Sequence, residues 1–209
     1  MKMNMNILGA VAISVLAMAT SVSAATIKVN WSASIVDNDG VAGVANGDTI
    51  TGMFTYNDTV PDSGTGSFGV YETNHVSSFT LNGLSGSTSG NSIFVFNNIN
   101  PEGDQFDTRG GGSYIGDLID GSTVNLIFVR FTDSTRSVFS DTSLPSSLDP
   151  LDFDFLFTSR LGLSSGRNIS FRVDTFSTAA VPLPASLPLL AAGLFGLGYA
   201  ARRKRKQAI

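Results

Sequence analysis

Cysteine is absent from the 209-residue chain, which excludes disulfides and thiolate chemistry in any compartment. Histidine occurs once, as His75, so a Ser-His-Asp site would have to use it. No Gly-x-Ser-x-Gly elbow accompanies it, because Gly64-Thr65-Gly66-Ser67 lacks the spacing. His75 reads as a loop residue at a strand edge. Between the two ends no stretch keeps a 3.6-residue apolar period, and no segment repeats, so helical bundles and solenoids fall away. Gly110-Gly111-Gly112 has no following Lys in position and no predicted helix, so it is a flexible connection rather than a phosphate loop.

What is present is unevenly distributed. Of 13 basic residues, five form the run Arg202, Arg203, Lys204, Arg205 and Lys206, and a sixth is Lys2. Seven cations and all 17 carboxylates lie between the ends, a net charge of −10. Such a domain repels phosphate backbones, and nucleic acid is not an expected partner. Hydrophobic residues make up 42% of the chain, enough for a packed core, and 22 glycines point to many turns.

Each end carries a targeting pattern. Lys2 precedes an apolar run from Ile7 to Met18 and then small residues up to Ala24. That order is a signal peptide over residues 1–24, for the Sec translocon and signal peptidase, with Val22 and Ala24 in the peptidase pockets and Ala25 first in the mature chain. At the other end, Val181-Pro182-Leu183-Pro184-Ala185 leads into an apolar run to Ala201 and then the basic cluster. Ala185–Ala201 would span about 26 Å as a helix, workable as one transmembrane helix when the cations snorkel. The cations stay cytoplasmic and the domain between the ends faces outward. Ala192, Gly196 and Ala200 form a small-residue stripe that would let another helix, such as one of a processing enzyme, approach closely, although the ordinary Gly/Ala richness of such a tail is the favoured reading.

The order of motif, span and basic end behind an export signal resembles the PEP-CTERM class of sorting signals, in its Val-Pro-Leu-Pro-Ala variant, over residues 181–209. The resemblance implies a Gram-negative envelope and an exosortase-type membrane protease that cuts near the motif. It also implies an inner-membrane-tethered precursor and a product at the cell surface or released. Leu183 stands where the commoner motif has Glu. The layout from Gly47-Asp48 through Phe54-Thr55-Tyr56 to Pro61-Asp62 and Tyr71 also looks like a secreted β-domain found upstream of such tails, a family with no activity to carry over.

Residues 25–180 alternate in the manner of strands. Ile27, Val29, Trp31, Ala33 and Ile35 share one face, and Ile50, Phe54 and Tyr56 share another. Further strands are predicted near Val76–Leu81, Ile93–Phe96, Val124–Thr132, Phe153–Thr158 and Ile169–Phe176, with a hairpin turn at Asn82-Gly83. The expected fold is all-β, an antiparallel β-sandwich (jelly-roll or Ig-like) or a related barrel. Val29, Trp31, Ile35, Phe54, Phe155 and Phe171 should be buried.

The chemistry-bearing candidates are few. Asp152 and Asp154 could pair on one strand as a glycosidase needs, but phenylalanines on the partner face make them the wet side of a core strand. Asp37-Asn38-Asp39-Gly40 opens like a calcium loop, but Val41 and the missing Glu break the EF-hand pattern. Asp37, Asp39 and Asp48 are therefore weak calcium candidates, and an Asx-rich turn accounts for the same residues. The sequence predicts no catalytic residue and no cofactor. Three functions compete: a non-enzymatic surface or matrix protein associated with exopolysaccharide or biofilm, a carbohydrate-binding module using Trp31, Tyr56, Tyr71 or Tyr114, and, last, a carboxylate hydrolase.

Overall fold

Strand β1 (Thr26–Asp37) buries the five apolar residues that its alternation places on one face. Residues 26–64, 68–99, 101–154 and 157–181 are described in the structure, a computed structural model; of Asn74, His75, Asn91 and Ala180 only the backbone is. The remaining strands are β2 (Thr49–Asn57), β3 (Phe68–Leu81), β4 (Leu84–Ile99), β5 (Gly103–Gly110), β6 (Tyr114–Gly116), β7 (Val124–Asp133), β8 (Ser159–Leu163) and β9 (Asn168–Val181). The β3–β4 hairpin turns at Asn82 and Gly83, whose φ values of 50° and 81° are the pair of positive angles that a tight two-residue hairpin demands.

All nine belong to one antiparallel sheet in the order β3-β2-β1-β9-β8-β7-β5-β4-β6. The 14-residue β3 also pairs with β4 along its length, so the sheet curls round on itself. The all-β expectation holds, with a single curled sheet in place of the two layers of a sandwich. Two bulges in the β1–β9 pairing, at Ser32/Ala33 and Ile35/Asp37, sharpen the curl. Among the described residues no helix is long and apolar enough to cross a membrane. The segments expected to form the signal peptide and the C-terminal span lie outside the described residues.

The inner face is aromatic. Phe54, Phe106, Phe131 and Phe176 stack in sequence, with Phe131 and Phe176 only 4.4 Å apart between centroids. Trp31 lies parallel to Phe171 at 5.2 Å. Val29, Ile35, Phe54 and Phe171 are buried as predicted, and Phe155 lies outside the described residues.

Phe153–Thr158 is not a strand in its described part. A 3-10 turn at Pro150–Asp152, capped by Asp149, leads instead into an irregular connection from β7 to β8. Phe153 is buried because it packs on Phe131, Phe139 and Phe176. Its apolar character reflects plugging of the core rather than ladder pairing. The same connection is pinned by the Tyr56 and Tyr71 hydroxyls, which donate to the carbonyls of Pro145 and Thr142, and by Thr178, which donates to that of Leu148.

Strands β5, β6 and β8 escape the sequence pattern. In β5 only Phe106 is a large apolar residue, yet every residue except Arg109 is buried, because β4 and β7 pair with both of its edges and, on the outer face, Arg130 and Arg109 lie over Asp107.

Candidate functional site

The calcium candidates do not converge. Asp37 accepts from the Asp39 backbone N–H at 3.2 Å, and Asp39 accepts from that of Asn168. Asp48 accepts from the Ala45 N–H and the Asn82 amide, which together hold its carboxyl below the usual range. Each carboxylate organises a different piece of backbone, and of these contacts only Asp37 to Asp39 has the spacing of an Asx turn. Among the described residues no three His, Asp or Glu side chains form a metal-holding group.

The paired aspartates are separated in role by the broken strand. Asp152 is exposed in the 3-10 turn, while Asp154 accepts from the Thr132 hydroxyl and the Ser134 N–H. His75 lies within β3 at the irregularity between Thr73 and Val76, and its side chain lies outside the described residues. Gly110 closes β5, and a Cβ on Gly112 would fall 1.5 Å from the Ser89 carbonyl oxygen. The triple glycine is thus a point of close backbone approach, where a flexible connection was expected.

The four aromatic candidates build no exposed platform. Trp31 is 3% exposed, and Tyr56 and Tyr71 are equally enclosed. Tyr114 covers Gly86 and donates to the Asp117 carbonyl. Burial pushes all three phenols above their ordinary range.

A cluster that the sequence reading missed lies on the outer face. Register places Ser92, Arg109, Phe128, Arg160 and Ser170 in one row across β4, β5, β7, β8 and β9. The guanidinium carbons of Arg109, Arg130 and Arg160 lie 5.6, 5.1 and 5.8 Å from the centroid of the Phe128 ring. Arg109 also stacks on Phe94 at 4.2 Å. Asp107, 0% exposed, takes a bidentate contact from Arg130 at 2.8 and 2.7 Å and a longer one from Arg109 at 3.5 Å. Burial raises the Asp107 pKa, and the two arginines pull against that shift. Beside the cluster is a cleft of about 570 Å³ lined by the three arginines, Phe128, Asn168 and Ser170 among others. A signal for it was available: Phe94 and Phe96 alternate with the buried Ile93 and Val95, so β4 is apolar on both faces.

The sorting residues lie at the end of the fold. Val181, the last residue of β9, is exposed and pairs with Thr26, the first residue of β1. Pro182–Ala185, Arg202–Lys206 and the predicted cleavage residues Val22, Ala24 and Ala25 lie outside the described residues. Comparison with curated proteins and with solved structures finds no match. A family model does match the tail over residues 180–206, which begins where β9 ends and runs through the basic cluster: the chain carries a PEP-CTERM protein-sorting motif.

Proposed function

We propose that this chain is an exported, non-enzymatic surface or extracellular-matrix protein, tethered to the inner membrane as a precursor and handed on by an exosortase-type enzyme. The observation that carries the reading is the sorting motif at residues 180–206, which takes in the last two residues of the final strand and continues beyond it. The Val-Pro-Leu-Pro-Ala variant supplies the handle: prolines at 182 and 184 keep the backbone extended for a protease, while the span and its cations hold the precursor in place. Association with exopolysaccharide or biofilm is the matching role for the β domain. The reading requires no cofactor and no catalytic residue.

The test is a size shift. Pro182→Ala with Pro184→Ala lies outside the apolar run, so insertion should persist while processing stops. The variant should stay membrane-bound and run about 3 kDa heavier than the wild-type product, the share of a 21.9 kDa chain held in its last 29 residues. Wild-type protein that keeps its C-terminus in cells containing the enzyme would leave a plain single-span anchor.

A further inference from the structure

We infer that the outer face of β5, β7 and β8 is a binding site for an acidic glycan, a sugar chain bearing one carboxylate per charged ring, with Arg109 and Arg160 as its anion ligands and Phe128 between them. The inference does not depend on how the chain is sorted.

Electrostatics is the first support. Three of the seven cations in a domain of net −10 gather within 6 Å of one phenyl ring. Two acidic groups answer them. Asp107 lies beneath and takes both Oδ atoms to Arg130, and Glu102 acts on Arg130 from further off. Arg130 is therefore committed to the fold, with its side chain 19% exposed. Arg109 keeps 44% of its side chain exposed and reaches Asp107 only at 3.5 Å. Arg160 is exposed and has no carboxylate partner among the described residues. Two guanidiniums, Arg109 partly exposed and Arg160 exposed, thus stand beside a third, an arrangement of like charges that an incoming carboxylate relieves.

Geometry selects among anions. Arg109, Phe128 and Arg160 occupy successive strands of one cross-strand row, and strands lie about 4.8 Å apart, so the two arginines stand about 10 Å apart at their backbones. In an extended sugar chain whose rings alternate in orientation, every second carboxylate faces the same surface. Two ring lengths then match two strand spacings. The ring between those carboxylates lies above Phe128, which is only 9% exposed and forms the apolar floor between the two arginines. Asn168, Ser170 and Thr158 line the same cleft and offer neutral donors and acceptors to hydroxyls. Beyond Arg109 the apolar surface continues through Phe94 to Phe96 and Phe68, with ring centroids 6.2 and 5.1 Å apart, and all three rings are half-buried on the outer face. A strip of this length fits a chain rather than a single small ion. A nucleic acid carries its charges more densely and meets more repulsion from the rest of an acidic domain.

The experiment is calorimetric titration of the full chain, purified in a polyoxyethylene detergent, with a galacturonate hexamer as probe. Wild-type protein should bind it, and raising salt from about 50 to 200 mM should weaken binding several-fold as screening takes hold. Arg160→Gln should weaken binding about tenfold, the loss of one charge-assisted contact, at an unchanged melting midpoint. Lys28→Gln removes the same charge from a different strand and should leave affinity unchanged. The methyl-esterified hexamer should not bind, and inorganic sulfate should compete only weakly. The inference is overturned by equal affinity of wild type and Arg160→Gln, by equal binding of the esterified hexamer, by sulfate competing as well as the hexamer, or by oligo-dT binding more tightly than the sugar.

Discussion

Thr26 and Val181 are paired residues of adjacent antiparallel strands, so the chain enters and leaves its β domain side by side. The motif begins at the last two strand residues, and the residue after the strand, Pro182, has no N–H to give a partner strand. The β1–β9 pairing runs through the middle of the sheet, from Thr26↔Val181 to Asp37↔Ser170. The sheet therefore closes only after the last strand has emerged, when the sorting tail is next in line.

The mature N-terminus should follow from that pairing. Strand β1 starts at Thr26, and cleavage after Ala24 leaves a single residue before it. N-terminal sequencing of the exported protein should read Ala25 first, and a product still holding Ile7–Met18 would refute the cleavage assignment.

Trp31 and Gly52 should behave as one packing unit. They are cross-strand partners, and a Cβ at Gly52 would lie 2.3 Å from both the indole Cζ2 and the Ser78 carbonyl oxygen. Gly52→Ala should cost about 1–3 kcal/mol through overpacking, and Trp31→Ala about 3–5 kcal/mol through the cavity it leaves. The double variant should cost less than the sum, since removing the indole removes one of the two clashes. Urea denaturation of the four proteins measures the coupling.

Asp107 should matter more than Arg109, the more distant of its two ion-pair partners. Asp107→Asn leaves Arg130 without its bidentate counter-charge and should cost about 3 kcal/mol. Arg109→Gln removes only the long contact of a half-exposed side chain and should change stability by less than about 1 kcal/mol. Comparable losses from the two substitutions in chemical denaturation would contradict this division of roles.

Asp133 should make the β7 turn acid-sensitive. Burial pushes its pKa up, but hydrogen bonds from Thr135 and Ser137 outweigh burial and hold it below the ordinary value. A folded pKa below the unfolded one stabilises the native state above the usual carboxylate range, and that contribution fades as pH falls through the lowered value. Asp133→Asn should therefore lose about 1–3 kcal/mol at pH 7, where an amide nitrogen would face backbone donors. The gap to wild type should narrow as pH falls below about 3.8, the ordinary value of an aspartate. A gap independent of pH in paired denaturation curves would rule the charge out as the cause.

Reversing the charge of Arg202–Lys206 should impair processing in cells by weakening the cytoplasmic hold on the tail. Whole-cell blots with the enzyme present should then show the precursor accumulate. Unchanged processing would mean that the cations do not set the orientation.

Much of this protein was written locally. The sorting motif with its apolar run and basic cluster is a one-dimensional pattern that a processing enzyme can read along the chain, so it is visible without a fold. The same is true of β1, β2 and the Asn82-Gly83 turn, where side-chain alternation or positive φ is a property of neighbouring residues. Strand β5 carries one large apolar residue and is buried all the same, because its neighbours cover it, and Phe153 is apolar without belonging to a strand. The Arg109–Phe128–Arg160 row exists only through register: its three residues come from three strands, and nothing in the linear sequence aligns them. Alternation decides which face a side chain takes, but hydrogen-bond pairing between distant strands decides which side chains become neighbours, and that belongs to the tertiary structure alone.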